Sequence, residues 1–276
     1  MRFSASSDDV PGGGGSRRHS QHGWLTQAHV LRASFARQLD LQSGQIPFGF
    51  VIGLLEPLFH IGILCLWHYL LRVIPIYGTS IVLFISTGIY PIFVVVHLST
   101  HVRATVNLVG TRRFPIEGPL DFLIAGSCVV LFAYILVGVV LFVGLAIFAT
   151  SQAIPFEFGP VLESMAALAA LGFGFGLCNA VIMKVIPVWH YFWGAMVRAL
   201  ILFSGVLYVA DFLPLYLRDV LVWNPVLHAV ELFRQGFYPY YPRLIFDPGY
   251  MWGCALAPVA VGLVLQRLFR RKLIYG

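Results

Sequence analysis

The residues best equipped for chemistry in this sequence lie where their surroundings are least polar. From Ser204 to Tyr241 the chain is apolar enough to enter a bilayer, yet it carries Asp211, Arg218, Asp219, His228, Glu231 and Arg234, interrupted by Pro214, Pro225 and Pro239. The prolines exclude one straight helix, and a broken helix at membrane depth is tolerated only where protein or a water-filled cavity satisfies the freed backbone groups. The segment is therefore expected to be re-entrant and to line a channel. A second ionisable group, Glu56, His60 and His68, is spaced by four and then eight residues inside another apolar run. A carboxylate there costs on the order of 2–3 kcal/mol on insertion scales, so Glu56 is expected to face protein or water, with His60 one turn on as its hydrogen-bond partner. A metal held by the three, or a carboxylate reaching the headgroups at the inner boundary, are the other readings.

Enzyme signatures are weak. The two lysines, Lys184 and Lys272, stand in no GxxxxGK[ST] phosphate loop, which excludes ATP hydrolysis by that route. His97 and His101 have the spacing of HExxH, but Leu98 occupies the place of the glutamate that would act as general base. No carboxylates are paired at glycosidase-like positions.

The elements that must position these residues are membrane helices. With 59% hydrophobic and 11% charged residues and a mean hydropathy of +0.83, the chain has too little polar surface to cover a soluble globule of its 276 residues. Runs near 20 apolar residues place six spans at roughly 49–71, 80–100, 122–148, 161–182, 196–213 and 249–269. The fold class is thus all-α integral membrane. Residues 1–23 contain Pro11 and the run Gly12 to Gly15 without an apolar core, and read as a disordered cytoplasmic tail rather than a signal peptide; 24–276 form the six-span domain. Trp24, Ala28, Leu31, Phe35 and Leu39 recur at helical spacing, which predicts an amphipathic helix on the inner membrane surface or against a partner.

Charge sets the orientation. Arg2, Arg17, Arg18, Arg32, Arg37, Arg103, Arg112, Arg113, Lys184, Arg198, Arg267, Arg270, Arg271 and Lys272 fall on one side of the six-span layout, against Arg72, Arg218, Arg234 and Arg243 on the other. Both termini are expected to be cytoplasmic. The net charge of +6 is accounted for by a basic inner face against anionic lipid and calls for no nucleic acid. Cys65, Cys128, Cys178 and Cys254 fall in different spans and read as buried apolar residues. Gly172 and Gly176 form a GxxxG pair that serves self-association and intrachain packing equally well. Trp189, Tyr191, Phe192 and Trp193 beside a basic inner loop read as an interfacial belt. The connection from Thr100 to Asp121 is either a docking handle for a soluble partner or a solvated loop whose arginines fix topology.

Two segments carry a resemblance. GFVIGLLEPLFHIGIL at 49–64, and SGVLY followed by LP and then WNPVLHAVELFRQGFYP, resemble the type-2 ABC transporter permeases of the capsular polysaccharide export family. The resemblance covers about residue 30 to the C-terminus and is most specific at Leu55-Glu56-Pro57 and at Asn224-Pro225 with Glu231 and Arg234. It implies a homodimeric six-span permease of the bacterial inner membrane, without a cofactor or ATPase site of its own. Two copies of a separate ATP-binding subunit, with ATP and Mg, would power it. It further implies a coupling helix that would include Val102, Arg103, Val106, Asn107, Arg112 and Arg113, and re-entrant helices between spans five and six. A glycan substrate, membrane lipid and a periplasmic export protein are the remaining candidate partners.

For a sugar polymer the physical need is a wide wet path with flat apolar faces. Trp223, Phe233, Phe237, Tyr238, Tyr240 and Tyr241 are expected to contact the chain. Glu231 and Arg234 are expected to shape the outer gate, with Asn224, Glu56 and His60 on the path. An outer interfacial belt with a helix-capping ion pair is the competing reading. So are the same architecture moving O-antigen, teichoic acid or a drug, a membrane-bound glycan-processing enzyme, and a membrane scaffold.

Overall fold

A computed structural model describes residues 49–72, 77–111 and 119–269. The expected tail, the amphipathic helix at 24–39, and Arg112 and Arg113 lie outside the described residues. Within them the regular structure is helical: α1 (Gly49–Leu70), α2 (Ile81–Thr111), α3 (Pro119–Phe148), α4 (Phe158–Val185), α5 (Trp189–Phe203), α6 (Leu215–Leu221), α7 (Pro225–Gln235) and α8 (Pro248–Leu268). Single 3-10 turns occupy Ser151–Ala153 and Ala210–Phe212.

Four of these are long and apolar enough to cross a membrane: Ile81–Val106 of α2, Leu123–Phe148 of α3, Phe158–Val185 of α4, and α8. They answer to the second, third, fourth and sixth expected spans. The fifth expected span, 196–213, is corrected by the structure. Its helix runs Trp189–Phe203, only 15 residues or about 22 Å at 1.5 Å per residue, and ends where the backbone turns through Gly205 at φ +75°. Hydropathy continues across that turn although the helix does not. The aromatic cluster therefore belongs to the start of α5, where Trp193 is buried against Phe175 and Trp189 Nε1 donates to Asn179 Oδ1.

α4 stands at the centre, packed against α2 on one side and α8 on the other, with α7 laid across it. α2 in turn meets α1, α3 and α7. Backbone approach at the centre is set by glycine. A Cβ on Gly176 would lie 2.6 Å from Val102 Cβ, and one on Gly174 would lie 2.5 Å from the backbone nitrogen of Val259. The glycine pattern thus serves packing within the chain, on two faces of one helix. The outer sides of α1 and α3 keep large apolar side chains exposed, among them Phe59, Trp67, Phe132 and Ile147.

Three connections meet at one end of the bundle. Thr79 Oγ1 donates to Gln152 Oε1, the Tyr77 hydroxyl donates to the Tyr240 carbonyl, and the Phe156 and Glu157 amides both donate to the Gly236 carbonyl. This loop end carries α6 and α7; the α4–α5 turn and the C-terminus of α8 lie at the other.

Gly174→Val forces α4 and α8 apart and is expected to cost about 1–3 kcal/mol, read as a lower melting temperature of the purified protein in detergent. Gly144→Val, at a glycine with no neighbouring atom within 4 Å of a Cβ, should leave the melting temperature where it is. Equal melting of both variants would remove the close-packing role of Gly174.

Candidate functional site

The charged segment builds its structure from its ends inward. Asn224 caps α7 by accepting from the Val226 amide at 3.1 Å, and Pro225 takes the first helical position, where its missing N–H costs nothing. The Asn224 amide also donates to the Phe203 carbonyl at 3.1 Å and to Ser204 Oγ at 3.0 Å, tying the start of α7 to the end of α5. His228 is held from both sides: Nε2 donates to the Val222 carbonyl at 2.8 Å and Nδ1 accepts from the Asp247 amide at 3.1 Å. Burial holds its imidazole below the ordinary histidine value, against the smaller opposing pull of the Val222 bond and Asp247. Asp247 then caps α8 by accepting from the Tyr250 amide.

Every residue of α7 from Val226 to Gln235 is buried, including four with polar side chains. Arg234, 1% exposed, is the best satisfied of them. Its Nη1 donates to the carbonyls of Gly205 at 2.7 Å and Tyr208 at 3.3 Å and to the Tyr241 hydroxyl at 3.3 Å. Its Nη2 donates to the carbonyls of Phe84 and Val206, both at 3.1 Å, and the guanidinium lies 3.8 Å above the Phe84 ring. One side chain thus joins α7, the 204–208 turn, α2 and the 236–241 segment. Gly88 makes room, since a Cβ there would lie 2.7 Å from Arg234 Nη2.

Glu231 is the opposite case. It is 1% exposed and neither carboxylate oxygen has a hydrogen-bond partner. Burial, reinforced by Asp211 and opposed by Arg234 and Arg218, pushes its pKa up to about 8. Glu231 and Arg234 form no ion pair with each other. The bond of that kind lies between Arg218 and Asp211, at 3.6 Å, and Asp211 Oδ2 also accepts from the Leu244 amide.

The aromatic residues divide. Phe233 and Phe237 are interior, their rings packed at tilted angles against each other and Phe142, and Phe233 also against Tyr90, at centroid distances of 4.6 to 5.9 Å. Tyr238 and Tyr241 are buried around Tyr77. Of the six aromatic residues expected to contact the polymer, Trp223, at 72% exposure, and Tyr240, at 98%, present their rings outward.

In the second group, Glu56 Oε2 reaches His97 Nε2 on α2 at 3.0 Å, whereas His60 Nδ1 donates to the Glu56 backbone carbonyl. The side-chain partner of Glu56 is therefore His97 and not His60, a correction to the sequence reading, which compared residues along one helix only. His68 Nδ1 donates to the Leu64 carbonyl, and the described residues contain no group of three metal-ligating side chains. Tyr134 lies against the His97 ring at 5.2 Å.

At the other end of the bundle, Val102 and Val106 are buried with Leu98, Leu177 and Ala180 and face the interior. Arg103 is half-buried, with Nη1 directed at Met183 Sδ. The side chain of Asn107, with Arg112 and Arg113, lies outside the described residues. Sequence reasoning passed over Tyr77, Phe84, Gly88 and Gly205, whose roles are visible only from the neighbours they accept.

Arg234→Lys keeps the charge but cannot span the same carbonyls. With each orphaned buried group costing about 1–3 kcal/mol, the variant should unfold at clearly lower denaturant than wild type. Wild-type behaviour would show that water replaces the guanidinium. For Glu231, a pKa raised in the fold means that stability is full below about pH 4.5, the unfolded value, and is lost as pH rises toward about 8. Glu231→Gln is expected to flatten that loss in melting temperatures taken from pH 5 to 8; parallel curves would show that Glu231 does not titrate there.

Comparison with known proteins gives this architecture its place. The chain is 25% identical to the polysialic acid transport protein KpsM of Escherichia coli over 255 residues, covering 90% of this chain and 96% of that one. It is 22% identical to the capsule polysaccharide export inner-membrane protein BexB of Haemophilus influenzae over 257 residues, covering 89% and 92%. The corresponding protein CtrC of Neisseria meningitidis is 23% identical over 252 residues, covering 90% and 93%. Residues 32–238 match the ABC-2 type transporter family, from α1 through the buried α7 with its Arg234 clamp, and the chain belongs to that membrane family.

Proposed function

We propose that this chain is the membrane subunit of an ATP-driven exporter that moves a polysaccharide or lipid-linked glycan across the bacterial inner membrane. α1 and α5 complete a six-span layout, and α6 with α7 forms a re-entrant hairpin at the outer mouth. The observation that carries this reading is the buried α7. A helix with His228, Glu231, Arg234 and Gln235 is set among apolar spans and bonded to three neighbouring segments, in a chain whose relatives bear export names. Such an investment of polar groups suits a mouth that must be shaped rather than merely closed.

Two copies of the chain face each other across the path, which gives the exposed apolar sides of α1 and α5 a partner. The loop end lies outside, and both termini lie in the cytoplasm with the basic connections. Energy enters from a separate ATP-binding subunit at the opposite end. There, residues beyond Arg103 provide the contact, since Val102 and Val106 are already committed to the interior. Of the six aromatic residues expected to contact the polymer, Trp223 and Tyr240 have rings free to meet a passing sugar. Glu56 with His97 supplies a polar station on the membrane path.

Affinity purification of the tagged chain from mild detergent should bring a stoichiometric ATP-binding subunit and ATPase activity with it, and glycan should accumulate inside cells that lack the chain. A single inactive protein, with export undisturbed by its deletion, would sink the reading. Glu56→Ala removes the carboxylate that His97 Nε2 faces at 3.0 Å. It is expected to reduce export at unchanged membrane levels of the protein, measured as surface glycan per cell.

A further inference from the structure

A cavity of about 370 Å³ opens at the loop end of the bundle, between the α3–α4 connection and the segment that follows α7. Its walls include Phe156, Glu157, Gln235, Tyr238, Tyr240 and Arg243. We propose that this cavity is a binding subsite for a hydroxyl-rich pyranose unit, held by the Tyr240 ring, the Gln235 amide, Glu157 and Arg243. The proposal rests on the exporter reading above and assigns it one defined contact with the glycan.

The walls are fixed before any ligand arrives. The Gly236 carbonyl accepts from the Phe156 amide at 2.7 Å and the Glu157 amide at 3.1 Å, which joins the two sides of the cavity through one atom. The Tyr77 hydroxyl donates to the Tyr240 carbonyl at 2.9 Å, and the Tyr238 ring packs edge-on against Tyr77. Tyr240 itself sits at φ +63°, a left-handed conformation that side-chain-bearing residues seldom adopt, and its ring is 98% exposed. Such a conformation persists where the surroundings hold it, and conformations of this kind cluster at ligand clamps and other functional sites.

The chemistry of the lining selects the ligand class. The exposed Glu157 and Arg243 side chains make no hydrogen bond or ion pair with the described residues, so one strong acceptor and one strong fork of donors remain available. Gln235, 6% exposed, has an amide nitrogen without a partner. A protruding aromatic face, an amide and one charge of each sign match a sugar ring, which offers an apolar C–H face and hydroxyls that both donate and accept. A phosphate-rich ligand would call for several cations, and the cavity has one beside a carboxylate. At about 370 Å³ the space is near the small end of the roughly 300–1,000 Å³ typical of ligand sites, so it takes a short stretch of a chain rather than its whole width.

The test uses the full chain in lipid nanodiscs and a panel of neutral and carboxylated oligosaccharides two to six pyranose units long, with binding followed by saturation-transfer NMR. Tyr240→Gly removes the platform at a backbone angle glycine adopts freely, so the fold is kept. It should weaken binding about tenfold, equivalent to about 1.4 kcal/mol. Tyr240→Phe should bind as wild type does. Arg243→Ala, at an exposed position, should weaken the carboxylated members more than the neutral ones. No oligosaccharide binding by wild type, equal binding by Tyr240→Gly, or displacement by glycerophosphoethanolamine in place of sugar would each overturn the subsite. Co-purification of the ATP-binding subunit and export in cells, measured in parallel, separate the two readings. Their persistence without binding removes the subsite alone, whereas their absence removes the exporter.

Discussion

A guanidinium cannot be buried without acceptors, and the loop end of this bundle is organised around supplying them to Arg234. The Gly205, Val206, Tyr208 and Phe84 carbonyls and the Tyr241 hydroxyl come from three separate stretches of chain, and all of them converge on two nitrogens. Taking the ion from water costs several kcal/mol, and only a nearly complete set of partners offsets it. The constraint therefore runs outward. The turn at Gly205 must adopt its positive φ to present three carbonyls, Gly88 must lack a side chain, and α7 must pack against both α2 and α4. Nothing comparable serves Glu231 three residues earlier. One buried charge in α7 thus fixes structure while another is left close to neutrality, and the second is the group free to respond to its surroundings.

The rest of the bundle follows a simpler rule. α2 and α4 are buried on most sides and pack through small residues, whereas α1, α3 and α8 keep apolar outer faces. In a bilayer there is little hydrophobic drive between helices, so contact depends on close backbone approach. Alternate glycines on α4 provide it, with Gly172 and Gly176 toward α2 and Gly174 toward α8. The centre is thereby close-packed at the level of backbone, whereas the short α5 is packed only lightly against α2 and α4.

The sequence made the long spans legible because hydropathy over 20 or more residues survives any local detail. It also made the start of α7 legible, since Asn224-Pro225 is a cap and first-turn signal whose mechanism is local. The fifth span was misplaced because hydropathy does not register a turn, and Gly205 is one glycine among 27. Glu56 was recognised as a group in need of a partner, but the partner is on another helix, and no spacing rule within α1 names His97. Phe233 and Phe237 looked like contact surface for a sugar because aromatic content is visible in sequence and burial is not. What escaped was consistently non-local: a carbonyl accepted here, a missing Cβ there, each meaningful only once the neighbour is known.

One helix links these separate features. α2 gives the Phe84 carbonyl and Gly88 to the Arg234 clamp, His97 to Glu56, and Arg103 to the contact with Met183 on α4. From Phe84 to Arg103 is 19 residues, about 28 Å at 1.5 Å per residue, close to the roughly 30 Å thickness of a hydrocarbon core. Pro91 lies between the first two and removes a backbone donor mid-helix, and the Thr87 hydroxyl one turn earlier is turned back onto the Leu83 and Phe84 carbonyls. Phe84 therefore shares its carbonyl between the local Thr87 and the distant Arg234. A shift of α2 along its axis would have to loosen the clamp at one end as it moved Arg103 at the other. The loop end and the opposite face of the bundle are thus joined by one helix, and the buried arginine fastens that helix at the loop end.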